Sequence, residues 1–149
     1  MGVSTRTTTA VHALAFLSRW YDEGVQSSAK IAESLESNPV LVRRVLGKLQ
    51  AAGLVYALEG SGGGWRLTRA ADSITLRDAY SAVEDGATLL PTHAHEPNQS
   101  CVIGRHAKAV LESEFAAAQQ ALEHHLAQTS IADILDRILD RERTRTSTT

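Results

Sequence analysis

The chain has 149 residues, of which 43% are hydrophobic and 21% charged, with a formal net charge of −2. That is the profile of a soluble globular protein, one domain or a small domain with an appendage, long enough to bury a core. No apolar run approaches the roughly 20 residues of a membrane span and the N-terminus lacks a signal-peptide core, so a cytoplasmic location is expected. The single cysteine, Cys101, excludes an intramolecular disulfide and a metal cage made of cysteine alone.

From the N-terminus, Ser4-Thr5-Arg6 opens a helix expected to reach Tyr21. Ala10, Leu14, Leu17 and Tyr21 recur at four, three and four residues and mark its core face. Asp22-Glu23-Gly24 ends it. Ser4, Thr5 and Arg6 are placed to meet a phosphate, or Ser4 is simply a cap. A hydroxyl cap at Ser27-Ser28 precedes Ile31, Ala32 and Leu35, which share one face of a short helix. After Glu36-Ser37, Asn38 can cap a third helix with Pro39 in its first turn, where the missing N–H costs nothing. Val42, Val45, Leu46 and Leu49 form its inner stripe, which leaves Val40, Leu41, Arg43, Arg44, Gly47 and Lys48 facing outward.

The apolar run Gly53–Leu58 leads into Glu59-Gly60-Ser61-Gly62-Gly63-Gly64 and out through Trp65-Arg66-Leu67, a two-stranded hairpin with a glycine-rich tip. The glycines allow positive φ and close approach to another surface. A nucleotide-binding glycine loop is excluded, because neither fingerprint spacing is met and a strand follows instead of a helix. Trp65 is expected to pack under the hairpin. Thr75-Leu76-Arg77-Asp78 has the form of a capping box and starts a helix to about Asp85.

Gly86 to Ser100 has two prolines, two histidines and no periodicity, and reads as a loop or linker. A long helix is expected over Val102 to Gln128. Leu111, Phe115, Ala118, Leu122 and Leu126 form one stripe, with Ala107, Val110, Ala117 and Ala121 beside it. So wide an apolar arc wants a helix on each side, and a dimer interface is the expectation. Thr129-Ser130 caps a last helix with Ile131, Ile134, Leu135, Ile138 and Leu139 inward, and Arg141 to Thr149 is polar and expected to be disordered.

Two helices joined by about three residues and followed by a hairpin predict a winged helix-turn-helix. The fold class expected is mainly α with a small β-hairpin, extended by a long C-terminal dimerisation helix. The third helix would be the reader, since adjacent arginines on its outer face suit the major groove of B-DNA, where Arg bonds guanine O6 and N7 or binds phosphate. The charge distribution agrees. Residues 1–70 hold eight Lys or Arg and five Asp or Glu, a balance of +3, whereas residues 71–149 hold seven and twelve, a balance of −5. Catalysis is not expected, because no nucleophile–base–acid order, paired carboxylates at an apolar site or phosphate cradle occurs.

The residues Ser4-Thr5-Arg6, Thr9–Leu14, Leu46-Gly47-Lys48-Leu49, Ala52-Gly53-Leu54-Val55, Gly62–Leu67, Ile74-Thr75-Leu76 and Cys101-Val102-Ile103-Gly104 together resemble the Rrf-two (Rrf2) family of bacterial transcription regulators over about residues 4 to 139. The resemblance implies a homodimeric winged-helix protein that binds double-stranded operator DNA, with the long helix crossing its partner and the preceding loop acting as sensor. Family members that sense iron, nitric oxide or redox state hold an iron–sulfur cluster through three cysteines in that loop. With Cys101 alone, no cofactor is expected and the chain is closer to the cluster-free branch.

These readings assign 1–85 to the DNA-binding domain, 86–100 to a sensor loop or linker, 101–140 to dimerisation helices and 141–149 to a tail. DNA contacts are expected from Ser4, Arg6, Ser28, Asn38, Val40, Leu41, Arg43, Arg44, Lys48, Ser61, Gly62, Gly63 and Arg66. Dimer contacts are expected from Val110, Leu111, Phe115, Ala118, Leu122 and Leu126. Cys101, near a helix N-terminus, is either a reactive sensor, as part of a repressor answering a redox or small-molecule signal, or a small buried hydrophobe. Two alternatives stay open: a protein–protein adaptor on the winged fold, and a metal-responsive regulator using His93, His95, Cys101 and His106.

Overall fold

The structure is a computed structural model that describes residues 4–86 and 88–148. Met1, Gly2, Val3, Ala87 and Thr149, which fall in the expected 1–85, 86–100 and 141–149 segments, lie outside the described residues. Six helices and one hairpin follow in chain order: α1 Arg6–Arg19, α2 Ser28–Leu35, α3 Pro39–Ala51, β1 Val55–Leu58, β2 Gly64–Leu67, α4 Leu76–Val83, α5 Val102–Leu126 and α6 Ile131–Ser147. Short 3-10 turns occupy Tyr21–Glu23 and Ala71–Ser73.

The centre of the core is the Ala10, Ala13, Leu14 and Leu17 face of α1, against which α2, α3, α4, α6 and β2 all pack. Two alanines on that face let neighbouring backbones come close, and Leu14 and Leu17 fill the space between them. Truncating a leucine buried this completely costs about 2–5 kcal/mol. Tyr21, expected as the last core residue of α1, is not one. The helix ends at Arg19, and Tyr21 sits in the 3-10 turn with 43% of its surface exposed.

The reading pair forms as its local chemistry dictates. Ser27 Oγ accepts from the Lys30 N–H at 3.2 Å and Asn38 Oδ1 from the Val40 N–H at 2.8 Å, so both helices begin at capped residues. Glu36, at φ 48°, makes the left-handed step between them. Ile31 and Ala32 of α2 and Val42, Val45, Leu46 and Leu49 of α3 are buried as their spacing predicts.

The hairpin is antiparallel, with Val55 opposite Leu67 and Leu58 opposite Gly64. A third edge is added by Gln26, whose N–H and carbonyl exchange bonds with Trp65 at 3.0 and 2.8 Å. That edge explains part of the glycine run. A Cβ at Gly64 would lie 2.6 Å from the Gln26 carbonyl oxygen, and one at Gly63 only 2.1 Å from that of Leu58. The close approach these two glycines permit is therefore to the protein's own backbone. Trp65 packs half-buried on the core, as expected.

Capping boxes start both α4, through Thr75 and Asp78, and α6, through Ser130 and Asp133. The two capped starts pair with each other. The Leu76 N–H reaches the Thr129 carbonyl at 2.9 Å and the Ile131 N–H the Ile74 carbonyl at 2.8 Å, which ties α6 to the head with Ile74 and Ile131 fully buried. Beyond Ile131, the expected inward face of α6 opens instead onto a groove of about 630 Å³ against α1, lined by Ile134, Leu135, Ile138 and Leu139. The segment after Arg141 is helical to Ser147, not disordered. Arg143 pairs with Asp140 and Arg145 with Glu142, while Thr144, Thr146 and Ser147 hydroxyls bond carbonyls one turn back, so local polar contacts extend the helix.

Gly64→Ala is expected to destabilise the protein by about 1–3 kcal/mol, because the new methyl must push the Gln26 edge off Trp65. Urea unfolding measures it, and an unchanged midpoint would show that the third edge carries no load.

Candidate nucleic-acid interface

The buried stripe of α3 fixes which residues face solvent. Val40 is 51% and Leu41 39% exposed, and Arg43 and Arg44 are exposed beside them. Among the described residues neither arginine has a carboxylate partner or a hydrogen bond that would hold it to the protein surface. Two unpaired guanidiniums thus project from a helix whose other face is locked in the core. Such a surface offers bidentate donors for bases or phosphates.

Other expected contacts are placed differently. Lys48 ion-pairs with Asp85, and Arg6 lies 3.5 Å from both Asp85 and Glu84. Ser4 and Thr7 donate to Glu84 at 3.0 and 2.8 Å. The Asp85 carboxyl is held below its ordinary range, chiefly by the Lys48 hydrogen bond, with the charges of Lys48 and Arg6 adding to it and desolvation opposing. Glu84 and Asp85, which sequence reasoning did not single out, therefore link α1, α3 and the end of α4. The signal available was two adjacent acids closing a helix before Gly86.

At the hairpin, Arg66 does not reach the tip. Its guanidinium lies 4.4 Å over the Tyr21 ring and donates to the Tyr21 carbonyl at 3.2 Å, with Nε buried and unpartnered. Ser61 and Gly62 form the exposed tip, and Gly63 is half-buried beneath it. Asn38 is engaged as the cap of α3, and Ser28 is half-buried in the first turn of α2.

The described residues of the 86–100 segment have no regular structure but run back along α5. The Leu89 N–H bonds Gln119 at 3.1 Å, Glu96 pairs with Lys108 at 2.8 Å, and Arg105 donates to the Gln99 carbonyl at 3.0 Å. A Cβ at Gly104 would lie 2.3 Å from the Asn98 carbonyl oxygen, so glycine is what lets the strap lie flat. Cys101 occupies the N-cap position of α5 without a side-chain capping bond and is exposed, not a buried hydrophobe. The backbone N–H groups of Gly104, chiefly, and of Ile103 at the helix start pull the thiol below its ordinary range.

Residues 3–137 match the family model described as Rrf2, iron-dependent transcriptional regulator. The chain belongs to the Rrf2 family. YwnA of Bacillus subtilis, described as a helix-turn-helix-type transcriptional regulator, is 32% identical over 136 residues, covering 91% of this chain and 98% of YwnA. Among solved structures, T. potens IscR superimposes with a TM-score of 0.69 at 23% identity, covering 93% of this chain and 88% of that one. B. subtilis CymR, the global cysteine regulator, does so with a TM-score of 0.68 at 22% identity, covering 92% and 98%.

Membership makes this chain a DNA-binding transcriptional regulator of winged-helix fold, and not an enzyme. No helix among the described residues is long and apolar enough to cross a membrane. Among the described residues no three His, Cys, Asp or Glu side chains stand together, so the structure does not bring His93, His95, Cys101 and His106 into one cluster.

The helix-start N–H groups make one prediction about Cys101. Its alkylation by iodoacetamide should follow a thiolate that forms below the ~8.5 of an ordinary cysteine. An inflection at or above the ordinary value would contradict the placement of the sulfur at the helix start.

Proposed function

We propose that the protein is a cytoplasmic, homodimeric repressor that reads a two-part operator through α3 and answers a redox or small-molecule signal at the junction of the 86–100 strap with α5. The observation that carries the reading is the outer face of α3, where Arg43 and Arg44 stand free beside exposed Val40 and Leu41. Guanidiniums there suit guanine edges, and the apolar pair suits thymine methyls. Ser61 and Gly62 at the hairpin tip and Ser28 at the start of α2 are in place for backbone contacts. Lys48 and Arg6 would join only by exchanging Asp85 and Glu84 for phosphate.

The dimer is supported by α5. None of its 25 residues is buried, although Leu111, Phe115, Leu122 and Leu126 lie along one side and Val102, Ile103 and Val110 are 60–71% exposed. Gln119 holds α5 to the head through the Tyr80 hydroxyl at 2.9 Å, and the helix continues about 25 Å further toward Val102. An apolar arm of that length is covered by a second copy of itself, with Ala118 allowing close approach. Occupying adjacent half-sites then makes the protein a barrier on its operator. Cys101, at the start of the arm, is where an adduct would disturb the strap.

Replacing Arg43 and Arg44 with Ala should each weaken binding to a duplex selected from a random pool by about 1–3 kcal/mol, and should lower the dependence on salt if phosphates are contacted. Binding by the double variant equal to wild type at moderate salt would remove α3 as the reader. Phe115→Glu should give a monomer in sedimentation, since burying its unpaired charge costs on the order of several kcal/mol. A folded wild-type monomer at micromolar concentration would contradict the dimer.

A further inference from the structure

Gly47 lies inside α3, between Leu46 of the buried stripe and Lys48, at a position where glycine is markedly less favourable than a good helix former. The structure gives no internal reason for it. Gly24, Gly53, Gly60, Gly62 and Gly86 adopt positive φ, and Gly63, Gly64 and Gly104 have backbone oxygens within 2.6 Å of where a Cβ would stand. Gly47 alone among the described glycines has helical backbone and nothing within 4 Å of its absent Cβ. Nor does it end the helix, since Gly53 takes the left-handed step after Ala51 and Ala52.

Its place on the helix supplies an external reason. Gly47 is exposed and follows Arg43 by four residues and Arg44 by three, so all three share the outer face. A Cα–Cβ bond on a helix tilts toward the N-terminus, so a side chain at 47 would rise over the turn that carries the two arginines. Leaving it out keeps that turn bare. We propose that Gly47 is the point at which the sugar–phosphate wall of the operator's major groove comes closest to α3. There the bare backbone lets the helix sit deep enough for Arg43 and Arg44 to reach base edges. The inference rests on α3 as the reader and assigns Gly47 as a positioning residue for that function.

The test uses Gly47→Ala and Gly47→Leu in the full chain, with a duplex selected from a random pool by the wild-type protein, and with the double Arg43→Ala, Arg44→Ala variant alongside. Both substitutions should raise the urea unfolding midpoint, because each replaces glycine by a better helix former in open space. Both should weaken binding, by about tenfold for Ala and about a hundredfold or more for Leu, as the added volume holds the helix off the groove wall. Stability and affinity thus move in opposite directions, which loss of folding cannot imitate. If the arginine variant loses binding but both Gly47 variants bind as wild type, Gly47 is merely tolerated and the inference is overturned. A lowered midpoint overturns it too, by revealing a role within the fold. If the arginine variant binds as wild type, it is the reader assignment that fails.

Discussion

Burial of one face of α1 is the constraint on which the rest of this molecule depends. Ala10 and Ala13 admit neighbouring helices closely, and Leu14 and Leu17 reach between them. The reading pair, α4, the inner hairpin strand and α6 all rest on that helix. Because α3 is held by four buried residues spaced three, one and three apart, its rotation about its own axis is fixed. The direction in which Arg43 and Arg44 point is therefore a consequence of core packing. A half-turn error would bury two guanidiniums without partners, at a cost well beyond the net stability of a domain this size.

Electrostatics then divides the cations of the head into two groups. Arg6 and Lys48 are engaged by Glu84 and Asp85, Arg69 by Asp78 at 3.2 Å, and Arg66 by the Tyr21 ring. These exposed pairs each contribute little to stability. Their larger effect is to lower the diffuse positive potential of the surface and to leave Arg43 and Arg44 as unpaired cations on the outer face of α3. With a whole-chain charge of −2, affinity has to come from fitted contacts and not from a basic field.

How much of this was legible in the sequence follows the range of the interactions. The caps at Ser27, Asn38, Thr75 and Ser130 and the buried stripe of α3 were readable, because each is decided within a few residues. The partners of Ser4, Arg66 and Lys48 were not, since they lie 80, 45 and 37 residues away and are brought near only by packing on α1. The glycine run was recognised as a tight tip, yet the demand of Gly64 comes from Gln26, a strand edge too short to leave a pattern. The end of α6 was misread because composition signals disorder, whereas i, i+3 ion pairs and hydroxyl-to-carbonyl bonds act one turn at a time. The apolar arc of α5 is legible in its spacing, whereas what covers it depends on contacts beyond a single chain.

The central claim is that the core presents α3 to the major groove, twice in one complex. Guanine N7 methylation protection combined with hydroxyl-radical footprinting on a selected duplex tests it most directly. The account predicts two patches of N7 protection on one face of the duplex, centred about one helical turn, 34–36 Å, apart or a multiple of that. Backbone protection should flank each patch. A single patch, or backbone protection with every N7 left reactive, would contradict it.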